Sequence, residues 1–230
     1  MRRSFIDGRI EAMLEFCARQ RFALPPFALW GETQYRADPA AARRIAEAGL
    51  GWNVVEFKPD GFASDGLTLI TTRMGDWRKL GNGRGRLYGE KAIMALDGQR
   101  TPHHYHVVKT EDILNRGGAR FIVELFKVDA SGARTSDRFD VLKDAAMLNL
   151  APGDRVTLEP GESIVLEPFI AHAFWAEGGP LLAGEVSLAN DDFTDNYFTP
   201  PLPPAAPIEE DESARYVTVR DHAAFLAPKA

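Results

Sequence analysis

Apolar residues recur at Ile6, Ile10, Met13, Leu14 and Cys17, the spacing of one helix face, and Ser4 with Asp7 resembles an N-cap pair at its start. The helix has to end before Leu24-Pro25-Pro26-Phe27. A second helix is predicted over 38–48, with Asp38 as cap, Pro39 at the first helical position, an alanine-rich body and Gly49 as terminator. From about residue 54 to residue 189 the period changes. Short runs rich in Val, Ile, Leu, Phe and Thr, separated by Gly, Asp, Asn and Pro, predict strands at 67–72, 91–96, 103–109, 120–127, 139–142, 155–158, 163–166, 171–175 and 182–188. Such a series without intervening helices predicts a mainly β sandwich or barrel decorated by N-terminal helices. Residues 200–207 are Pro-rich and are followed by Glu209-Glu210-Asp211-Glu212. Prolines lack the N–H that a central strand needs, so this stretch predicts an ordered or semi-rigid arm. Too little chain follows it for a second domain. The expected organisation is a single domain over 1–230, with helical decoration over about 1–50, a β-barrel over about 54–190 and a C-terminal arm over about 198–230.

Composition narrows the partners. Of the 230 residues 45% are apolar, enough for a chain of this length to build its core without a disulfide or a structural metal, so any metal would be functional. The 33 acidic against 27 basic residues give a formal net charge of -6, and no run of Lys and Arg exceeds a pair. This argues against a nucleic-acid partner. The single Cys17 excludes an intramolecular disulfide and reads as a small buried apolar residue of the first helix. No apolar run is long enough to span a bilayer and no apolar signal core stands at the N-terminus, so the expected location is the cytoplasm, with no membrane partner.

Three of the five histidines, His103, His104 and His106, fall within four positions, and Glu111 follows. In a strand His104 and His106 share a face while His103 and Tyr105 take the other. Two imidazoles on one face form a chelate that Glu111 and a histidine from another strand would complete, with positions left open for water or substrate. His172 is the candidate for the fourth ligand, and His222, in the C-terminal tail, reads as a solvated residue. The competing reading makes His104 and His106 a half-exposed strand and His172 a core histidine among Phe169, Ile170, Phe174 and Trp175.

The spacing from Gly98 through His104, His106 and Glu111 to Gly118 resembles the first sequence pattern of the cupin superfamily. The second pattern is similar over Gly161 to His172, although Pro168 is displaced by one, Phe169 replaces a glycine and Ala176 stands where asparagine is usual. The segments Thr101-Pro102-His103-His104-Tyr105-His106 and Lys109-Thr110-Glu111-Asp112-Ile113-Leu114-Asn115-Arg116-Gly117-Gly118 look like the metal strand of D-lyxose isomerases. Similar too are Leu24-Pro25-Pro26-Phe27-Ala28, Gly66-Leu67-Thr68-Leu69, Gly89-Glu90-Lys91, Gly184-Glu185-Val186-Ser187, Asn190-Asp191-Asp192, Thr194-Asp195-Asn196 and Ile208-Glu209-Glu210-Asp211-Glu212. The resemblance spans roughly residues 4–217. It departs in His103, where an aromatic is common, and in a shorter loop over about 129–138.

The resemblance implies a cupin barrel that interconverts D-lyxose and D-xylulose, and also D-mannose and D-fructose, through an enediol, as a homodimer. It further implies one divalent ion per subunit, manganese foremost, held by His104, His106, Glu111 and His172. The ligand set itself also tolerates Fe(II), Co(II), Ni(II) and Zn(II). Glu185 lies two residues before Ser187 on the last core strand and is nominated as acid/base residue, with Glu111 assisting and Lys109 stabilising developing negative charge. Glu185 as a salt-bridged surface carboxylate is the alternative. Lys91, Trp175 and Asp192 are candidates for holding the sugar, with Arg116 behind them as a turn residue. Two other reactions compete: an Fe(II) cupin dioxygenase, and a phosphosugar isomerase that would bind phosphate at Gly81-Asn82-Gly83-Arg84-Gly85-Arg86. A non-catalytic sugar-binding cupin would need an output module, for which the chain has no room.

Overall fold

The structure, a computed structural model, describes residues 1–192 and 194–226. Three helices come first: α1 (Arg3–Arg19), α2 (Glu32–Ala37) and α3 (Pro39–Glu47). The strands follow as β1 (Gly51–Glu56), β2 (Gly66–Arg73), β3 (Tyr88–Ala95), β4 (His104–Tyr105), β5 (Glu111–Lys127), β6 (Phe139–Lys143), β7 (Ala146–Leu150), β8 (Arg155–Leu158), β9 (Ser163–Leu166), β10 (Ile170–Leu188) and β11 (Tyr197–Phe198). A short α4 (His222–Leu226) closes the described chain. The pairing is antiparallel in the order β1-β2-β3-β10-β5-β9-β6-β7, with β8 on β5 and β4 joining β10 to β11. This is the cupin-like, mainly β architecture with N-terminal helices that the motif spacing implied.

Two long strands make the sheet close on itself. β5 pairs with β9 through 111–114 and with β8 through 121–124, while β10 pairs with β3 through 181–188 and with β5 along most of its length. Their bends fall at Gly117-Gly118 and Gly178-Gly179, all four at positive φ. At Gly118, with φ of +93°, an added Cβ would also run into the carbonyl oxygen of Pro180, so the bend requires glycine there. The stretches 171–175 and 182–188 were expected as separate strands. They are one strand, because the intervening glycines bend the ladder without ending it.

Side-chain alternation gives this sheet two buried faces. Leu67, Ile93, Ile113, Phe121, Phe174 and Leu181 fill the interior, and Ile70, Ala92, Met94 and Leu182 point outward onto α1. There they meet Ile6, Ile10, Met13, Phe16 and Cys17, each large side chain contributing about 1.5–3 kcal/mol on burial. Trp52 of β1 is buried in the same layer and donates its indole N–H to the Ala28 carbonyl at 2.7 Å. The second predicted helix forms as read, with Asp38 accepting from the Ala41 N–H at 2.9 Å and Gly49 at φ of +61°.

Several local expectations are corrected. Ser4 and Asp7 do not cap α1, whose N-cap is Arg2 without a side-chain bond. The Ser4 hydroxyl instead donates to Asp211 at 2.6 Å, and buried Asp7 accepts from the Arg215 N–H at 3.0 Å. Only His104 and Tyr105 of the expected strand 103–109 are in a ladder, since the chain beyond them leaves the sheet. Strands β1, β7 and β11, the first half of β5 and helix α2 were not anticipated. His222, read as solvated, is buried and stacks on Tyr35 with ring centroids 6.0 Å apart.

The acidic stretch explains where the arm goes. Arg3, 1% exposed, donates to Glu210 at 2.7 Å and to Asp221 at 2.6 Å, tying the first turn of α1 to the C-terminal segment. The last residues of the expected arm, 227–230, lie outside the described residues. No described helix is long and apolar enough to cross a membrane. Replacing Arg3 with Ala leaves Asp221 buried without its cation and is expected to lower the unfolding free energy by about 3–5 kcal/mol, measured by urea denaturation against the unmodified chain.

Candidate active site

The inward-facing series of four strands end in polar residues at the same end of the barrel. Leu67 and Leu69 lead to Thr71, Ala95 and Ile93 to Lys91, Leu181 and Ala183 to Glu185, and Ile113 to Glu111. Register brings these ends together: Lys91 sits opposite both Thr71 and Glu185, and Glu185 opposite Ile113. A cavity of about 940 Å³ opens over them, lined also by His104, Lys109, His172, Asp192 and the aromatic side chains of Phe57 and Phe198.

His104, His106 and His172 converge at this end. Their Nδ1 atoms lie 3.0 Å from the Pro102 carbonyl, 2.5 Å from the Asp195 carbonyl and 3.1 Å from the Ile170 carbonyl. Each contact suits a ring proton on Nδ1, the tautomer in which Nε2 of a neutral imidazole can serve as a metal ligand. One ligand atom from each of the three rings can be chosen so that all lie within 4.8 Å of one another. The Nε2 of His106 is buried and makes no hydrogen bond, an orphaned acceptor aimed at the cluster. Burial drives the His104 pKa well below its usual value, and the neighbouring His172 and His106 add to the effect, so its imidazole stays in the neutral, ligating form. Glu111 Oε1 lies 3.4 Å from His106 Nε2 and 3.1 Å from His172 Nε2. Three imidazole nitrogens beside an anionic oxygen, buried at the bottom of a cavity, fit a divalent first-row ion.

From Glu111 a line of alternating charge runs across the cavity. Lys109 Nζ lies 2.5 Å from Glu111 Oε2 and 3.0 Å from Glu185 Oε1. Lys91 Nζ lies 3.1 Å from the same Glu185 oxygen and 2.9 Å from Asp192 Oδ1, which also accepts from the Asn190 amide at 2.8 Å. Burial by itself would push Glu111 and Asp192 up, but Lys109 and the imidazoles hold Glu111 well below the carboxylate range, and Lys91 with Lys109 does the same for Asp192. Burial opposes the charge on both lysines, and the carboxylates around them outweigh it, raising both above the usual lysine value. Both ammonium groups are therefore charged throughout the neutral range.

Of the residues nominated from the sequence, His104, His106, His172, Glu111, Lys109, Lys91, Glu185 and Asp192 come together here. Trp175 does not. The alternation that turns His172 and Phe174 inward turns Trp175 outward, where the guanidinium groups of Arg100 and Arg155 lie 4.6 and 5.2 Å from its ring centroid. His103 also faces away, 3.1 Å from Glu124, and burial takes its pKa down to about 4. Arg116 is directed at Glu90, and none of Gly81 to Arg86 lines the cavity. The sequence reading missed Phe57, Phe198 and Trp77, which line the cavity from outside the central strands. Nothing in their local pattern sets them apart; only the Asn190 to Asn196 polar run drew notice beforehand.

The family model for D-lyxose isomerase matches residues 1–222. A D-lyxose/D-mannose isomerase of Escherichia coli O157:H7 is 39% identical over 228 residues, 98% of this chain and 100% of that protein. Another of Serratia proteamaculans is 37% identical over 230 residues, 99% of this chain and 100% of the relative. Among solved structures, the L-ribose isomerase of Cellulomonas parahominis with L-ribose shares the fold at a TM-score of 0.53 and 15% identity, covering 95% of this chain and 97% of that one. The L-ribose isomerase of Acinetobacter sp. DL28 with L-ribose gives 0.52 and 14%, over 86% and 92%. A cupin-like barrel with this likeness places the protein among the sugar isomerases. More closely, the chain belongs to the D-lyxose isomerase family.

Metal-stripped protein is expected to take up one divalent ion, and His106→Gln or His172→Gln to weaken that uptake by more than about 100-fold, because even partners that merely orient ligands are worth 10- to 100-fold. Calorimetric titration with Mn(II) or Co(II) measures both.

Proposed function

We propose that the protein interconverts D-lyxose and D-xylulose, and with them D-mannose and D-fructose, by moving hydrogen between C1 and C2 of the open-chain sugar through an enediol. The observation that carries this reading is the juxtaposition of three convergent imidazoles with a carboxylate clamped between two ammonium groups, in a chain of the D-lyxose isomerase family. His104, His106, His172 and Glu111 would hold the ion, with Mn(II) the expected metal. When bound, it supplies Lewis acidity that polarises the adjacent oxygens on C1 and C2.

The proton is moved by the chain's own groups. Glu185 takes it from one carbon and returns it to the neighbour. The contacts of Lys91 and Lys109 to its Oε1 fix the carboxylate on the inner face of β10 before substrate arrives. Glu111 is held ionised far below the usual range, which makes it a weak base and suits it to ligation. Lys109, charged and buried, offsets the negative charge that develops on the sugar oxygens. Asp192 and Asn190, hydrogen-bonded to each other beside Lys91, offer acceptors and a donor for the hydroxyls farther along the chain of the sugar. Phe57 and Phe198 give the cavity apolar walls against the C–H faces of the substrate. A phosphosugar is disfavoured, since Lys91 and Lys109 are both committed to carboxylates and Arg78, at the cavity wall, pairs with Asp76 at 2.8 Å.

Metal-stripped protein given Mn(II) and D-lyxose is expected to form D-xylulose, followed by NMR, and Glu185→Gln to lose about 10²- to 10⁴-fold in kcat while retaining the metal. Protein that binds the ion and converts neither D-lyxose nor D-mannose would overturn the isomerase reading and direct attention to oxygen uptake with Fe(II).

A further inference from the structure

We infer that Asp195, which does not line the cavity, is a positioning residue that holds the His106 to Lys109 loop in its ligating shape. The inference rests on the metal site of the proposed function. It starts from a shortage of backbone partners. β4 ends at Tyr105, and the chain leaves the sheet before β5 begins at Glu111, so the intervening N–H groups have no strand to donate to. Three consecutive ones converge on a single carboxylate. Val107 N–H donates to Asp195 Oδ1 at 2.8 Å, Val108 N–H to Oδ1 and Oδ2 at 3.2 and 3.3 Å, and Lys109 N–H to Oδ2 at 2.9 Å. The carbonyl of the same residue accepts from His106 Nδ1 at 2.5 Å. Asp195 is itself 6% exposed.

One residue thus fixes the tautomer and direction of a metal-binding imidazole and the backbone from which Lys109 reaches Glu111 and Glu185. Its own place is set from both sides. Its N–H donates to the Asp191 carbonyl at 3.0 Å, closing the turn whose Asp192 grips Lys91. On the other side β11 pairs with β4, the Thr199 N–H donates to the His103 carbonyl at 2.9 Å, and the Phe198 ring lies 5.1 Å from that of His104. The turn after β10 therefore places both lysines of the charge line, Lys91 through a side chain and Lys109 through its backbone. A carboxylate suits the role because every group facing it is a donor. An amide would present its NH₂ to one of those N–H groups and lose that bond.

Metal-stripped wild type, Asp195→Asn and Asp195→Ala are titrated with Co(II) by calorimetry, and the Co(II) absorption spectrum reports ligand geometry. Circular dichroism checks that the metal-free chains are folded. The expected result is a roughly 10- to 100-fold weaker affinity with an altered spectrum in the folded Asn variant, and a larger loss in the Ala variant. Tyr197→Phe, on the same segment but with its ring stacked on Tyr105 outside the site, is expected to bind as wild type. Should Asp195→Ala fail to fold, the isosteric Asn variant decides. Wild-type affinity and spectrum in folded Asp195→Asn would overturn this inference alone; a wild type that takes up no ion would overturn it together with the metal site.

Discussion

Two carboxylates and two lysines are buried at one end of the barrel beside the half-buried Asp192, and the arrangement survives only because their signs alternate. Removing an ion from water costs several kcal/mol after relaxation, so Glu111, Glu185 and Asp192 are tolerable on this inner face only with Lys109 and Lys91 set between them. The directions of the pKa shifts report the balance: burial opposes the charges of Glu111, Lys109, Lys91 and Asp192, and the opposite charges overcome it. Such a line cannot relax one member at a time, because each lysine serves two carboxylates. What is costly to assemble is consequently rigid once assembled, and a rigid set of charges is what the proposed proton transfer at a sugar carbon needs.

The fold supplies the two conditions this requires. Alternation along β2, β3, β5 and β10 keeps one face apolar through Leu67, Ile93, Ile113 and Ala183 until the cavity, where each strand changes to a polar residue. The opposite face of the same sheet is sealed by α1, and α1 in turn is fastened to the C-terminal segment by Arg3, Ser4 and Asp7. The N-terminal helix and the acidic arm thus belong to the support of the strands that carry the site. Connection to the site itself comes from the short stretch after β10, where Asp192 and Asp195 act on opposite sides of one turn.

How much of this was legible beforehand depended on whether a residue's position follows from a local period. His104 and His106 share a face because strand geometry dictates it, even though the ladder holds only two residues there. The same parity rule put Glu185 inside. Trp175 was misassigned because its neighbours are the residues of a metal strand, and proximity in sequence says nothing about which side of the sheet an odd-numbered position takes until one inward residue is fixed. Once His172 points in, Trp175 must point out. Ser4 and Asp7 have the composition of a helix cap, but their partners, Asp211 and Arg215, lie some two hundred residues away, and the long-range bonds win over the local motif.

The sequence by itself determined the mainly β architecture, the N-terminal helices, and the candidates for metal ligation and acid/base work, since these depend on periodicity, motif spacing and the resemblance that the motifs carry. Only the tertiary structure decided which charges neighbour which: that Lys109 bridges Glu111 and Glu185, that Asp192 answers Lys91, and that a carboxylate far along the chain satisfies three N–H groups of the histidine loop. Except for that between Lys109 and Glu111, those contacts join residues some 76 to 101 positions apart. They are set by strand register and by the path of the turn after β10, and no local pattern encodes a distance across a closed sheet.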